Sequence, residues 1–567
     1  PWRPPPTVRV PTRVTAAHLS KDWLSMEAFF ALIALSMSVT YYLDQSSGSD
    51  TNDGLSLGSA FASASHATDE LTPGDTLVIV GELVNPSYNP TFAFAGDVSD
   101  PHLWHGENTL KLNNVLGTAD AWITVTALDS STVLKGDGAN IVRIQNSAYL
   151  RIEGLRVEGE VDRIPYDTAK ALQYVYRDDG GAIQYRVNTS LSDHEIEELV
   201  LPIIGSIDRP SYTDTRGLYA SNTHHLVISG CNISRTPGNG LRVAYGEFVE
   251  VVGNEVAHCS RKSYSGTHGL VVTQTEDELP SEWPRNYRAR VVGNLVHHNY
   301  NEISSWVGTK DFVEPRIDEG KGISLQRNQR WNNGGRILVA NNIAYWNGYS
   351  GVHSNDGDNV DMISNTAYFN SYTSSNYYPA IGGAQGGKNI GISVSGGSGN
   401  SIVNNLVVVD PAWNGFAISV ASQGTEPFVD SNLVFAVPVD DLKVDADLEG
   451  VATNTIIADP MFAGVNMSGP IDEPDLYATL FVPPRSTAVG AGNTRFMPCE
   501  DFFGTPRCLN TLGAVEAGSP PSARAALATN WSSCYAFDAA NRSVDACATW
   551  PCPPPSPPPS PPPSPPP

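Results

Sequence analysis

The chain has 567 residues, 35 Lys and Arg against 60 Asp and Glu for a formal net charge of −25, and 41% hydrophobic residues. That charge argues against nucleic acid as a partner, because phosphate binding needs a cationic footprint, and the ordinary apolar fraction excludes disorder throughout. A charged fraction of only 17%, with 50 glycines, points to β-rich structure with many turns rather than helical bundles.

Residues 1–25 begin with Pro1, are rich in Pro, Arg and Thr, and show no apolar period, so they read as a disordered leader or upstream sequence. Residues 26–40 read as a signal peptide. Their apolar run, AFFALIALSMSV at 28–39, is shorter than the roughly 20 residues of a membrane span, and Ser38 and Thr40 supply small residues near a cleavage point. The expectation is therefore a secreted, extracellular or cell-wall protein with no membrane span. Glu27 stands where a positive residue is usual, which leaves a buried first strand or a plastid transit peptide as alternatives.

From residue 41 the organising signal is a repeat. A short apolar strand keeps ending in Asn: VISGCNIS (227–234), VVGNEVAH (251–258), VVGNLVHH (291–298), LVANNIAY (338–345), MISNTAYF (362–369), IVNNLVVV (402–409) and VDSNLVFA (429–436). A second phrase recurs between them, as in GNGLRV (238–243), THGLVV (267–272) and GKGISL (320–325). Aligning Asn232, Asn254, Asn294, Asn342, Asn365, Asn405 and Asn432 gives spacings of 22, 40, 48, 23, 40 and 27 residues. The base period is about 22 residues with inserts, which is what the coils of an all-β parallel β-helix require. Aliphatic residues at alternate positions stack inward, and a fixed Asn tolerates left-handed dihedrals while bonding to its equivalent one coil away. An antiparallel sandwich is the alternative, although sandwiches do not repeat a pattern at fixed register.

The opening of this region, with Tyr41-Tyr42-Leu43-Asp44, Asn52-Asp53-Gly54-Leu55-Ser56 and Leu71-Thr72-Pro73-Gly74-Asp75, resembles secreted right-handed parallel β-helix proteins of the pectate-lyase-like superfamily. Its close resembles them too, with Asp459-Pro460-Met461-Phe462, Ser486-Thr487-Ala488-Val489-Gly490-Ala491-Gly492 and Leu512-Gly513-Ala514-Val515-Glu516. The resemblance spans 41–517, taken as one right-handed parallel β-helix domain with loop and short-helix inserts. It implies an acidic polysaccharide as partner and, as one chemistry of the group, β-elimination on uronate polymers. There a cation neutralises the uronate carboxylate and a Lys, Arg or His takes the C5 proton.

The inserts are where a groove would form. The longest, 162–216, carries a capping-box pattern at Ser192 and Glu195. The second, 273–287, holds Glu276, Asp277, Glu278, Glu282 and Trp283, and the third, 300–319, is the most densely charged. Lys321 and Arg336 are the candidate catalytic residues. Arg316, Arg327, Arg330, Trp306 and Trp331 are the candidate substrate contacts, cations for carboxylates and aromatic faces for sugar rings. Asp318 and Glu319 are the candidate ligands of a Ca²⁺ ion, which would bridge the acidic protein to an acidic polymer and lower the pKa of a neighbouring base. The alternative for this cluster is a solvated, salt-bridged rim. Asn355-Asp356-Gly357-Asp358-Asn359 resembles a calcium loop but lacks its closing glutamate, so turn chemistry is expected there, and His353, His297 and His298 read as core or turn histidines.

Beyond the solenoid, 518–550 is a Cys-containing linker and 551–567, PCPPPSPPPSPPPSPPP, can form only polyproline II. The tail resembles the Ser-(Pro)n modules of hydroxyproline-rich cell-wall glycoproteins of plants and green algae, which implies wall glycoproteins as partners. Cys499 and Cys508 read as a local disulfide in an oxidising compartment. Two classes of function stand: a polysaccharide lyase-like enzyme, and a non-catalytic structural or adhesive matrix glycoprotein.

Overall fold

A computed structural model describes residues 38–94, 97–172, 175–177, 180–185, 212–263, 265–303, 319–371, 390–409, 416–421, 427–436, 452–462 and 479–518. Arg316, Asp318, Trp306, the capping box at Ser192, the linker and the Pro-rich tail lie outside them. From Val39 onward the described strands, apart from the antiparallel pair Val175–Arg177 and Ile183–Tyr185, wind into a right-handed parallel β-helix, with a 19-stranded and an 11-stranded sheet whose pairings are all parallel.

The larger sheet contains two ladders. In one, Leu270–Thr273 pairs with Ile323–Gln326, which pairs with Ser350–Asn355 and then Ile390–Ser395. In the other, Tyr287–Val292 pairs with Arg336–Ala340, then Val360–Ile363 and Ser401–Val403. The long strands Arg216–Ser229 and Leu241–Val252 run through both. The third wall is the 11-stranded sheet, including Leu295–His297, Ile343–Tyr345 and Thr366–Tyr368.

Because side chains alternate along a strand, each ladder lines the interior with stacked aliphatic residues. Leu241, Leu270, Ile323, Val352, Ile392 and Ile418 stack in register along the first. Val251, Val291, Val339, Met362 and Ile402 do so along the second, and Val256, Val296, Ala344, Ala367 and Val407 along the third. All belong to one continuous buried core.

The asparagines sit at the corner between the second ladder and the third wall. Each rung follows a residue in the left-handed region, among them Gly293, Asn341, Ser364 and Asn404, which is why Gly, Asn and Ser recur there. Asn294 Nδ2 donates to Asn342 Oδ1 at 3.0 Å, and Asn342 to Asn365 at 2.9 Å. Alignment at Asn232 is corrected by register. Asn232 pairs with Glu255 and is exposed, while Cys231 N–H donates to Asn254 Oδ1, so Cys231 holds the first rung. A second column, Asn299, Asn347 and Asn370, runs along the corner before the first ladder.

At the far end the chain folds back over the outside of the third wall. Phe502, Phe503, Leu512, Ala514 and Val515 pack on Ile343, Tyr345, Tyr368 and Leu406. Buried Arg507 ties this flap down by donating to Asn341 Oδ1 and the Gly513 carbonyl. Cys499 and Cys508 within it are disulfide-bonded.

Candidate functional site

Several strands of the first ladder are opened by a residue followed by glycine. In register these are Asn239, His268 and Lys321, preceding Gly240, Gly269 and Gly322. The glycines are required by space. A Cβ on Gly322 would lie 2.6 Å from Asn347 Nδ2 and 2.7 Å from the Gly351 carbonyl, so the second asparagine column admits no side chain there. The flanking side chains form a relay: His268 N–H donates to Asn239 Oδ1 at 2.9 Å, and Lys321 N–H donates to His268 Nδ1 at 3.3 Å.

This arrangement assembles an ionisable cluster. Lys321 Nζ is 2.5 Å from Glu319 Oε2 and 4.9 Å from the Tyr349 ring centre. Glu319 Oε2 is 3.5 Å from His268 Nε2, which is 2.7 Å from Gln326 Nε2. Next along the ladder, Ser324, His353 and Ser393 are in register, with His353 Nδ1 2.7 Å from Ser393 Oγ. Burial, then the nearby Lys321 charge, hold His353 well below the usual histidine range, so it is neutral at pH 7. The hydroxyls of Ser324 and Ser350 are buried with no hydrogen-bond partner among the described residues. Lys321 itself is 6% exposed, so the solvated rim considered for this cluster does not describe it.

The other predicted residues that are described scatter. Arg336 opens a strand of the other ladder, and its guanidinium clasps Asp361, with Nε 2.9 Å from Oδ2 and Nη2 2.5 Å from Oδ1. It lines a separate cleft of about 740 Å³ with Trp283, Arg285, Phe428 and Phe496, and Lys321 is not among the cleft's lining residues. Arg327 is exposed at the exit of the Lys321 strand. Arg330 pairs with Glu276 at 2.7 Å and lies over Tyr245. Trp331 packs against the core and donates its indole N–H to the Asp358 carbonyl, rather than offering a free face. The 355–359 segment is a turn: Asp356 and Asn359 are left-handed, and Asp358 Oδ1 accepts from Ser398 N–H at 2.7 Å. His353, His297 and His298 are all buried.

Calcium asks for six to eight oxygen ligands. Among the described residues Glu319 is the carboxylate at this cluster, and its oxygen is taken by Lys321. The other candidate ligand, Asp318, lies outside the described residues, so no chemical step is assigned to calcium. His268 and Tyr349 were not singled out from sequence. The signal for His268 was its place in THGL, equivalent to Lys321 in GKGI.

No family model matches the sequence, and no curated protein sequence matches it. Solved structures to which it is similar include pectate lyase Pel9A, with 14% identity, 86% of this chain and 98% of that chain covered, and a TM-score of 0.42. A rhamnogalacturonan lyase matches at 12% identity over 77% of this chain and 94% of that chain, with a TM-score of 0.41. A GH136 lacto-N-biosidase from Eubacterium ramulus matches at 13% identity over 76% and 69%, with a TM-score of 0.38. These values carry neither an activity nor a residue's role across. No helix among the described residues is long and apolar enough to cross a membrane.

Proposed function

We propose that the protein is an extracellular carbohydrate-active β-helix protein that acts as a lyase on acidic polysaccharide, with its site at the Lys321 end of the first ladder. The observation that carries this reading is one buried cluster on the first ladder: the Lys321 ammonium held by Glu319, with the neutral imidazole of His353 close enough to feel its charge and in register beside Ser324.

β-Elimination needs the uronate carboxylate neutralised and the C5 proton removed, so that the C4=C5 double bond forms as the C4–O bond breaks and the leaving oxygen takes a proton from water. Lys321 supplies the neutralising charge, and Glu319 fixes its ammonium in place. His353 is the base. Burial keeps it unprotonated at neutral pH, and in the tautomer whose Nδ1–H donates to Ser393 Oγ, 2.7 Å away, the base is Nε2. Lys321 thus takes the electrostatic role instead of the proton-abstracting role expected from sequence, and Arg336 takes none. The disulfide-bonded Cys499 and Cys508 support an oxidising, extracellular setting, and the Ser-(Pro)n tail supports attachment among wall glycoproteins.

The depth of Lys321 favours a second reading, a matrix protein that binds polysaccharide without cutting it. Ultraviolet absorbance of the unsaturated product decides between them, with pectate, alginate and glycosaminoglycans as substrates. A signal lost in Lys321→Ala and His353→Ala but kept in Arg336→Ala supports the lyase. Binding to the same polymers with no product on any of them leaves the second reading.

A further inference from the structure

The turn Pro101–Trp104, the residue before strand Asn108–Asn113 and the residues before strand Asn140–Gln145 bring two imidazoles and two carboxylates together at the early coils. His102 Nε2 lies 2.7 Å from Asp137 Oδ2, His105 Nε2 lies 3.3 Å from Asp137 Oδ1, and His105 Nδ1 lies 3.8 Å from Glu107 Oε2. One ligand atom from each of His102, His105 and Asp137 falls within 4.8 Å of the others.

Two features set this cluster apart from an ordinary buried ion pair. Asp137 is 1% exposed, yet among the described residues its Oδ1 and both ring nitrogens of His105 make no well-aligned hydrogen bond, only the ionic contacts at 3.3 and 3.8 Å. A buried carboxylate oxygen and two imidazole nitrogens without well-aligned hydrogen bonds are costly unless something else satisfies them. The surroundings hold the ligands still. Asp137 N–H donates to Asn85 Oδ1, Glu107 accepts from Ser87 N–H and Oγ–H, and the Phe92 ring lies 4.1 Å from the His102 ring. Such outer contacts orient metal ligands elsewhere.

We propose that His102, His105 and Asp137 bind a divalent transition metal of the zinc class. Two imidazoles with carboxylates suit zinc and its neighbours, whereas calcium and magnesium favour all-oxygen sets. The His102–Asp137 and His105–Asp137 separations, 2.7 and 3.3 Å, are short enough for ligands that each sit about 2 Å from a common centre. The site is structural in character, pinning the 85–87 turn, the 101–104 turn and the opening of a first-ladder strand. It is also independent of the Lys321 site. The strands they precede are four pairings apart, or about 19 Å at 4.8 Å per coil.

A second histidine group, His258, His297 and His298, also places its nitrogens close together. Its shortest contact, His297 Nδ1 to His298 Nδ1 at 2.8 Å, recurs between His224 and His225 at 2.9 Å. In both pairs the second histidine is left-handed, so that contact comes from the corner itself.

The test uses the full chain without a histidine tag, stripped with chelator and then exposed to Zn²⁺, Co²⁺ or Ca²⁺. One equivalent of Zn²⁺ retained through gel filtration, visible bands of four-coordinate Co²⁺, and a melting temperature raised by Zn²⁺ but not Ca²⁺ are expected. His105→Ala and Asp137→Asn should each weaken Zn²⁺ binding about 100-fold, with the far-ultraviolet β signal kept, whereas His298→Ala should leave it unchanged. Failure of the wild-type chain to retain Zn²⁺, retention that survives both substitutions, or loss in His298→Ala instead would overturn the assignment. If the variants fail to fold, a wild-type Co²⁺ spectrum without four-coordinate bands overturns it equally.

Discussion

Replacing Asn342 with Ala removes a rung from the middle of the longer asparagine column. Four hydrogen bonds go with it. Nδ2 donates to the Val291 carbonyl at 2.9 Å and to Asn365 Oδ1 at 2.9 Å, while Oδ1 accepts from Asn294 N–H at 2.9 Å and Asn294 Nδ2 at 3.0 Å. At about 1 kcal/mol net per bond, and with the Asn294 N–H left buried and unsatisfied, the loss is about 3–5 kcal/mol. Unfolding entropy of about 2.1 cal/mol/K per residue over roughly 480 residues is about 1 kcal/mol/K, so a cooperative melt should fall by about 3–5 °C. Urea denaturation followed by far-ultraviolet dichroism gives an independent value. The control is Asn232→Ala, which lies off the column and should cost under about 0.5 kcal/mol. Cys231→Asn supplies the opposite arm. Its Sγ lies 3.8 Å from the Ile152 carbonyl, where the next rung's amide reaches Ile228 at 2.9 Å, so Asn there should be tolerated or mildly stabilising. Equal small effects from Asn342→Ala and Asn232→Ala would refute the idea that the column bears the corner's stability.

Four further outcomes follow from the same geometry. Arg288, fully buried between Asp277 at 2.5 Å and Glu247 at 3.0 Å, should cost about 3–5 kcal/mol as Arg288→Met, read by urea denaturation, because two acids lose their shared cation. Burial, then neighbouring His298, depress His258 from 6.5 to about 4. The unfolded chain therefore binds more protons between those values, and stability should fall by up to about 3 kcal/mol as pH drops from 6.5 to 4, with no contribution from this group above 6.5. Burial pushes the Cys231 thiol up to about 12 and Cys259 up to about 11, so neither should react with a thiol reagent at pH 8 until the chain is unfolded. Gly322→Ala should destabilise by about 1–3 kcal/mol, because its Cβ collides with Asn347 and a backbone carbonyl, and a melt compared with the unobstructed Gly58→Ala checks it.

The solenoid was legible because its walls rewrite themselves. An apolar strand, a left-handed corner residue and an amide recur from residue 251 to 436, and each has a local physical reason. What the sequence obscured lies where neighbours in space are far apart in the chain. Arg336 is only fifteen positions beyond Lys321, but the strand and turn between them carry it onto another ladder and into the hands of Asp361. The second column was hidden because Asn299 and Asn347 follow the histidine and tryptophan of the corner rather than the repeated phrase. Asn232 was misaligned by one residue because Cys231 imitates an amide that sequence comparison does not count. The zinc-class cluster has no spacing signature, since His102, His105 and Asp137 meet only after the chain has made another coil.

The asparagine column also works as a length standard. Asn294 and Asn342 are separated by 48 residues, Asn342 and Asn365 by 23, yet their amides meet at 3.0 and 2.9 Å. Axial advance is thus metered by the rungs and is indifferent to how much chain is looped out between them. Segments can lengthen, shrink or be exchanged at one corner while the neighbouring coils keep their pitch. A lineage built on this frame is free to revise what its surface recognises without renegotiating how it folds, and an engineer grafting a foreign loop between two rungs would inherit the same freedom.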